Sequence, residues 1–169
     1  MEAFAPPSLV FDDSVTVYLG SREIRLRSFP GHTGGDVAVV IPDVKVMFTG
    51  DLFWRHSIPN TIDASTRPWI DTLNTIVRDE AGYSFVPGHG QVGTAQDVTA
   101  FRDYLVKLRQ WVTEAQSAGR STDAVAPLVT PKLTAEFGGW DYFKYLAPQN
   151  IQQMDAELRG RKRIPKPAQ

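Results

Sequence analysis

Three side chains that can bind metal ions stand in glycine-rich stretches of this sequence. His32 lies in PGHTGGD, Asp51 in FTGD and His89 in PGHG. Imidazole nitrogens and carboxylate oxygens are common ligands of protein-bound zinc. The chain has no cysteine, which excludes thiolate ligands, cysteine nucleophiles and disulfides. Taken singly, each of the three residues is equally well explained as a turn residue that bonds to nearby backbone.

Short apolar runs lie next to these three residues and predict buried strands. They span residues 37–41, 45–49 and 83–86 and are bounded by Gly, Pro and Asp. His32 is thereby placed at the mouth of one strand, and Asp51 and His89 at the exits of two others. Strand ends on one sheet edge converge in space, so the three side chains are expected to meet.

The order GHTGGD, FTGD and PGHG resembles the C-terminal half of the metallo-β-lactamase superfamily of hydrolases. The resemblance implies that His32 binds a first metal ion and His89 a second. It also implies that Asp51 bridges both ions and is the catalytic residue that orients the nucleophile. Thr33 and Asp36 then become candidates for holding the imidazole of His32 in place. The implied cofactor is zinc, or another divalent ion such as Fe or Mn.

The reaction implied by the resemblance is hydrolysis of a small-molecule substrate by metal-activated water. The scissile group is an ester, thioester, amide or phosphoester. One departure from the family pattern is large, because the upstream HxHxDH motif is absent and the chain has three histidines in all. Each metal ion would receive two protein ligands, so the site in this chain is incomplete.

Three interpretations of the missing motif stay open at this point. The chain is a metal-dependent hydrolase truncated to its C-terminal half, with independent activity in doubt. Alternatively, it is a non-catalytic binding or assembly module, or one subunit of a split hydrolase completed by an HxHxDH-bearing chain. Whether the chain is an enzyme by itself is therefore undecided by the sequence.

The remaining patterns predict an α/β fold. A hairpin around Gly20-Ser21, the strands above and helices starting near Ser65 and at Gln96 form one mixed β-sheet with helices on one face. This is half of the αββα sandwich that the resemblance implies. Residues 121–149 are predicted to be irregular, and a short helix is expected from Asn150. A single domain covers residues 1–158, followed by a basic tail, residues 159–169, predicted to be disordered.

One sheet face is left without helices to cover it, which predicts a partner. Large exposed apolar patches are rare on monomers, so we expect a homodimer or a missing N-terminal half on another chain. A net charge of −1 gives no reason to expect nucleic acid, and no apolar run reaches the length of a membrane span. The N-terminus lacks the features of a signal peptide, so a cytoplasmic location is expected.

Two further features have competing interpretations. His56 lies on the long loop after Asp51 and is a candidate for a substrate loop, or simply an exposed loop histidine. The second feature is an aromatic cluster that either packs against the sheet or lines a substrate cleft. Its members are Phe137, Trp140, Tyr142, Phe143 and Tyr145.

Overall fold

The computed structural model describes residues 7–163 and contains one mixed five-stranded sheet with four α-helices. The strands are β1 (Ser14–Leu19), β2 (Arg22–Phe29), β3 (Asp36–Ile41), β4 (Val46–Trp54) and β5 (Ser84–His89), and they lie in that order across the sheet. Neighbouring strands are antiparallel from β1 to β4, whereas β4 and β5 are parallel. The predicted α/β class and the mixed sheet are confirmed.

Helix α1 (Thr66–Asp79) connects the two parallel strands, as a parallel pair requires. Three helices follow: α2 (Ala95–Ser117), α3 (Thr122–Phe137) and α4 (Phe143–Leu158). A capping box opens α2, because the Thr94 hydroxyl accepts from the Asp97 backbone N–H while the Asp97 carboxylate accepts from the Thr94 N–H. Such boxes satisfy amide groups that the helix itself leaves free.

One face of the sheet packs against the helices and the other does not. The covered face carries Ala38, Val40, Met47 and Phe85, each at most 1% exposed. These side chains belong to the same core as Trp69 and Phe101 of the helices. Successive residues of a strand point to opposite faces, so the intervening positions lie on the open face.

The open face is an apolar row in register across four strands. Leu26 pairs with Val39, Val39 with Phe48, and Phe48 with Val86. Phe48 is 42% exposed, although it lies near the middle of the sheet. The layer arrangement therefore matches the predicted half-sandwich, with helices on one face of the sheet.

The prediction for residues 121–149 was wrong, because most of this segment is helical. Val125, Val129, Leu133 and Phe137 recur at every fourth position and are buried. Pro127 and Pro131 lie on the exposed side of α3, where water can bond the carbonyl groups that a proline leaves free. Helix α4 likewise begins at Phe143, seven residues before the predicted Asn150, and tolerates an exposed proline.

The first residues of the predicted tail pack on the domain. Arg159 bonds to the Asp155 carboxylate, and the ammonium group of Lys162 donates to the carbonyls of Thr61 and Ala64, both at 2.6 Å. The side chain of Lys162 is 3% exposed, and burial lowers its pKa. This part of the tail differs from the predicted disorder, and residues 164–169 lie outside the described part of the chain.

Within residues 7–163, none of the helices combines the length and apolar character that crossing a lipid bilayer requires.

Candidate metal centre

The turn after β2 holds His32 through a local hydrogen-bond network. The backbone N–H of Thr33 donates to one oxygen of Asp36 at 2.7 Å, and the Thr33 hydroxyl donates to the other at 2.8 Å. Gly31 permits the close approach of the turn to the core, since a Cβ there would lie 2.8 Å from side-chain atoms of Leu52 and Trp69. Thr33 and Asp36 therefore shape this turn, and their role in holding the imidazole of His32 stays a prediction.

Asp36 also faces the ring that it was predicted to hold. Its Oδ1 lies 4.0 Å from Nδ1 of His32, which is beyond hydrogen-bonding distance. The side chains of His32 and Asp36 are 17% and 12% exposed, so the pair is largely withdrawn from solvent.

Asp51 lies inside β4, not at its end as the sequence suggested. The ladder between β4 and β5 shifts register between Phe48 and Gly50, and Gly50 has a φ of 51°. Such an irregularity bends a strand and redirects the following side chain. The glycine of the TGD motif therefore supplies the left-handed backbone conformation that turns Asp51 toward the strand-end loops.

The structure brings the three predicted ligands together from three separate elements. Nδ1 of His32 lies 4.0 Å from Oδ2 of Asp51, and Nε2 of His89 lies 3.6 Å from Oδ1 of the same carboxylate. Neither separation is a hydrogen bond. Asp51 thus presents one oxygen to each imidazole, which is the arrangement expected of a bridging carboxylate.

Two glycines make this packing sterically possible. A Cβ on Gly88 would lie 2.0 Å from Oδ1 of Asp51, and one on Gly90 would lie 2.4 Å from the carbonyl oxygen of Arg55. Gly90 also has a φ of 93°. The glycines on both sides of His89 are therefore required by close contacts, and not merely by the need for a turn.

Aromatic rings surround the two histidines. The ring of His89 lies over that of Trp54 with a centroid separation of 3.8 Å, and Tyr142 approaches both rings edge-on at 6.3 and 6.4 Å. The ring centroids of His32 and Trp69 lie 5.5 Å apart in an edge-to-face arrangement. The indole N–H of Trp54 is buried without a hydrogen-bond partner, a feature that calls for ordered water or a ligand.

Part of the aromatic cluster near the C-terminus packs within the domain, and another part lies beside the candidate metal centre. Phe137 and Trp140 pack on each other and on Tyr104, with centroid separations from 5.1 to 6.1 Å. Tyr142 instead lies beside His89 and is 51% exposed, whereas Tyr145 is 75% exposed and away from these rings. Sequence reasoning missed Trp54 and singled out Tyr142 only as one of five aromatic residues.

The loop after β4 is anchored beside the candidate centre. The backbone N–H of Arg55 donates to the carbonyl of His89 at 2.9 Å, and its Nε donates to Asp97 at 3.0 Å. Burial acts to raise the pKa of Asp97, but hydrogen bonds from Thr94 and Arg55 outweigh this and lower it. His56 follows in this loop and exposes 64% of its side chain.

The donor atoms fit a divalent ion in type, and one pair also fits it in spacing. Two ligands about 2.0–2.1 Å from one zinc ion lie about 3.4 Å apart at a tetrahedral angle. The separation of 3.6 Å between His89 and Asp51 is close to this value, whereas the separation of 4.0 Å between His32 and Asp51 exceeds it. A catalytic zinc normally takes three protein ligands, however, and residues 7–163 contain no group of three or more His, Cys, Asp or Glu side chains that could hold a metal ion.

Comparison with known sequences places the chain in a family. Residues 4–89, about half of the sequence, match the model described as the Metallo-beta-lactamase superfamily. The chain therefore belongs to the metallo-β-lactamase superfamily, whose members generally bind divalent metal ions, and the predicted family is confirmed.

Two curated relatives are similar to part of the chain. Acyl-coenzyme A thioesterase MBLAC2 of Bos taurus is 33% identical over 52 residues, and that of Homo sapiens is 31% identical over 52 residues. Each match covers 31% of this chain and 19% of the relative. The chain thus spans about one fifth of the length of the curated relatives it matches.

Solved structures show the same fold at low sequence identity. A metallo-beta-lactamase from Pontibacter korlensis superposes with a TM-score of 0.56 at 23% identity, covering 60% of this chain and 50% of that one. The stereoselective inverting sec-alkylsulfatase Pisa1 from Pseudomonas sp. gives 0.69 at 13% identity, covering 90% and 26%. Nearly all of this chain, helices included, therefore corresponds to about a quarter of a larger enzyme chain.

Proposed function

We propose that this chain forms one side of the active centre of a metal-dependent hydrolase. The observation that carries the proposal is the convergence of His32, Asp51 and His89, which come from three separate elements and face one another at 3.6 and 4.0 Å without hydrogen bonds. Polar groups that approach so closely without bonding are readily explained by an ion between them.

In this proposal His32 and Asp51 would hold one divalent ion, and Asp51 and His89 would hold the other. When bound, the ions supply Lewis-acid activation of water and electrostatic stabilisation of the developing oxyanion. The Asp51 carboxylate orients the attacking nucleophile, and Trp54 holds the ring of His89 by stacking. The substrate is a small molecule with an ester, thioester, amide or phosphoester bond, and zinc is the proposed metal.

The missing ligands and the open sheet face point to one kind of partner. Residues 7–163 contain no group of three or more His, Cys, Asp or Glu side chains that could hold a metal ion, and in the same part of the chain the apolar row from Leu26 to Val86 lacks a covering layer. We propose that a polypeptide segment carrying HxHxDH on its own β-sheet covers this face and supplies the remaining donors. A second copy of this chain is the competing occupant. The cytoplasmic location expected from the sequence stays a prediction.

Hydrolysis assays with a matched pair of variants test the enzyme proposal. Metal-supplemented protein, alone and mixed with an HxHxDH-bearing fragment of the family, is assayed on ester, thioester and phosphoester substrates. We expect metal-stimulated hydrolysis that Asp51→Ala reduces by at least about 10²-fold, because the nucleophile loses its orienting group. Asp71→Ala, which changes an exposed carboxylate on α1, retains activity.

A non-catalytic binding or assembly module is the second candidate. The described residues provide fewer than three ligands in a metal-binding arrangement, which favours this alternative. Protein that forms a complex with the HxHxDH-bearing fragment, yet neither binds metal nor hydrolyses any substrate class, would establish it. Hydrolysis that is equal in wild type and Asp51→Ala would also reject the proposed metal centre.

A further inference from the structure

A small polar pocket adjoins the candidate metal centre. Its volume is about 260 Å³. It lies between the loop after β4 and the turn that joins α3 to α4, and we call it the His56 pocket. Its lining residues are Arg55, His56, Gly90, Gln91 and Asp141. Gly90 directly follows the predicted ligand His89, so a molecule held at the metal centre could extend into the pocket.

The walls of the His56 pocket are fixed by backbone hydrogen bonds. The N–H of Ile58 donates to the carbonyl of Asp141 at 2.9 Å, and the N–H of Asp141 donates to the carbonyl of His56 at 3.0 Å. The N–H of Arg55 donates to the carbonyl of His89 at 2.9 Å. The pocket is therefore preformed, and its position relative to His89 is set by main-chain contacts.

Backbone strain is concentrated at this pocket. His56 and Tyr142 have φ values of 51° and 60°, in the left-handed region that side chains other than glycine avoid. The third non-glycine residue of this kind in the described part of the chain, Lys45, ends a short 3-10 turn and donates to Pro42. His56 lies in the turn after β4 and Tyr142 immediately precedes α4, so these two conformations shape the turns that form the walls of the pocket.

The charge and hydrogen-bonding groups of the pocket define what it can bind. Arg55 is already paired with Asp97 at 3.0 Å and donates to the carbonyl of Val92 at 2.9 Å. The side chains of His56, Gln91 and Asp141 make none of the side-chain hydrogen bonds seen among residues 7–163, and His56 lies 3.9 Å from the Asp97 carboxylate. The pocket thus offers free donors and acceptors together with the uncompensated negative charge of Asp141.

We infer that the His56 pocket is a substrate subsite for an uncharged hydrogen-bonding group, an amide or a hydroxyl. This inference rests on the proposed hydrolase function. The amide of Gln91 and the imidazole of His56 provide donors, and the carboxylate of Asp141 accepts. An anionic group is rejected because it would meet Asp141 without a free cation. Tyr142 follows Asp141 in the chain and its ring stands edge-on to that of His89.

Two small probes that differ in one charge test the inference by NMR. N-acetylglycinamide is uncharged, and N-acetylglycine has the same frame with a carboxylate. We expect saturable shifts of the backbone amides of Gly90, Gln91 and Asp141, with N-acetylglycinamide binding about threefold to fivefold tighter than N-acetylglycine. Asp141→Asn should remove this preference, whereas Asp71→Asn, an exposed carboxylate elsewhere, should leave it unchanged.

His56 is tested with two substitutions that tolerate its backbone conformation. His56→Gly removes the ring and relieves the strain, so the protein folds, and the affinity for N-acetylglycinamide should fall several-fold. His56→Asn keeps a hydrogen-bonding amide and a residue suited to this φ, and should retain most of the affinity. Equal binding of both probes, shifts confined to other parts of the protein, or no saturable shift would overturn the inference.

The result is separable from the outcome for the hydrolase proposal. Probe binding needs neither metal nor turnover, so Asp51→Ala should bind N-acetylglycinamide as the wild type does. Charge-selective binding without hydrolysis would leave the pocket as a binding site and reject the hydrolase. Hydrolysis without charge-selective binding would reject the pocket alone.

Discussion

The position of the Asp51 carboxylate at the candidate metal centre depends on the absence of a side chain at Gly88. Asp51 occupies space that a side chain at position 88 would need, because a Cβ there would lie 2.0 Å from its Oδ1. The contact involves a carboxylate whose position is fixed by β4, so the strand cannot easily yield. The first glycine of the GHG motif therefore leaves space for the Asp51 carboxylate, in addition to permitting a turn.

Gly88→Ala is expected to displace the Asp51 carboxylate. Overpacking of this kind costs roughly 1–3 kcal/mol of stability, and a displacement of about 1 Å at a reacting group costs about 10²-fold in rate. We therefore expect a lower melting temperature and a loss of metal-stimulated hydrolysis, measured by calorimetry and by the ester assay. Gly82→Ala is the matched control, because a Cβ at that position meets no atom within 4 Å and should be tolerated. Equal behaviour of the two variants would show that the close contact is unimportant.

Much of the candidate site was predictable at the residue scale. His32, Asp51 and His89 could be singled out because glycine-rich motifs of fixed order carry them. Trp54 and Tyr142 could not, since nothing in their spacing distinguishes an aromatic residue beside a ligand from one in the core. Their role depends on the bulge at Gly50 and on the left-handed conformation of Tyr142, which are consequences of packing.

Among the elements, helix α4 is tied to its neighbours by one buried carboxylate. The side chain of Asp155 is 3% exposed and accepts hydrogen bonds from Gln116 of α2, Thr122 of α3 and Arg159. Burial acts to raise its pKa, but these donors outweigh burial and lower the pKa below its ordinary value of 3.8. A single residue thus joins three helices and the start of the C-terminal segment.

Asp155→Asn is expected to destabilise the fold at neutral pH by about 2–4 kcal/mol, because buried donors lose a charged acceptor. A depressed folded-state pKa stabilises the protein fully above the unfolded value near 4, and the effect is lost as the pH falls through the lower folded value. Urea unfolding from pH 7 to pH 2 should therefore show the difference from wild type shrinking in acid. Asp71→Asn should change stability by less than about 1 kcal/mol, as exposed ion pairs do. A difference that stays constant down to pH 2 would contradict this account.

The elements themselves were predicted unevenly. The β1–β2 hairpin, α1 and α2 were predicted because their apolar residues recur at strand and helix periods. Helix α3 was missed because Pro127 and Pro131 interrupt its sequence, although the four-residue spacing of Val125, Val129 and Leu133 already indicated a helix. On the solvent-facing side of a helix, water replaces the hydrogen bonds that proline removes. Burial of the apolar side chains on the opposite side therefore stabilises α3 despite its two prolines.

At the scale of the whole molecule, the helices described within residues 7–163 cover the sheet on one side only. Phe48 is 42% exposed in an apolar row that runs from Leu26 to Val86, and the candidate ligands come from the same strands and their loops. An uncovered face and an incomplete ligand set are separate deficits. One partner that brings both a β-sheet and histidines would remove both.

Phe48→Glu is expected to abolish association without unfolding the chain. A charge at the centre of the apolar row opposes burial, while the same residue in a solvent-exposed position is tolerated. Native mass spectrometry of wild type mixed with the HxHxDH-bearing fragment should show a complex that Phe48→Glu lacks. Val106→Glu is the control, since Val106 is similarly exposed, at 38%, on helix α2. A wild-type homodimer would instead show that a second copy of this chain covers the open sheet face. A wild-type monomer that does not bind the fragment would reject the proposal that this face is an interface.

The sequence by itself determined the family, the order of the strands and helices around its motifs, and the identity of three candidate ligands. These features depend on local patterns, such as strand and helix periods, caps and glycine turns. The tertiary structure decided which residues share the site with those ligands. It placed Trp54 under His89, brought the segment around Asp141 against the loop of His56, and buried Lys162 beneath the chain at Thr61. Contacts of this kind join residues far apart in the sequence, and they are selected by packing of the whole core, which no local pattern records.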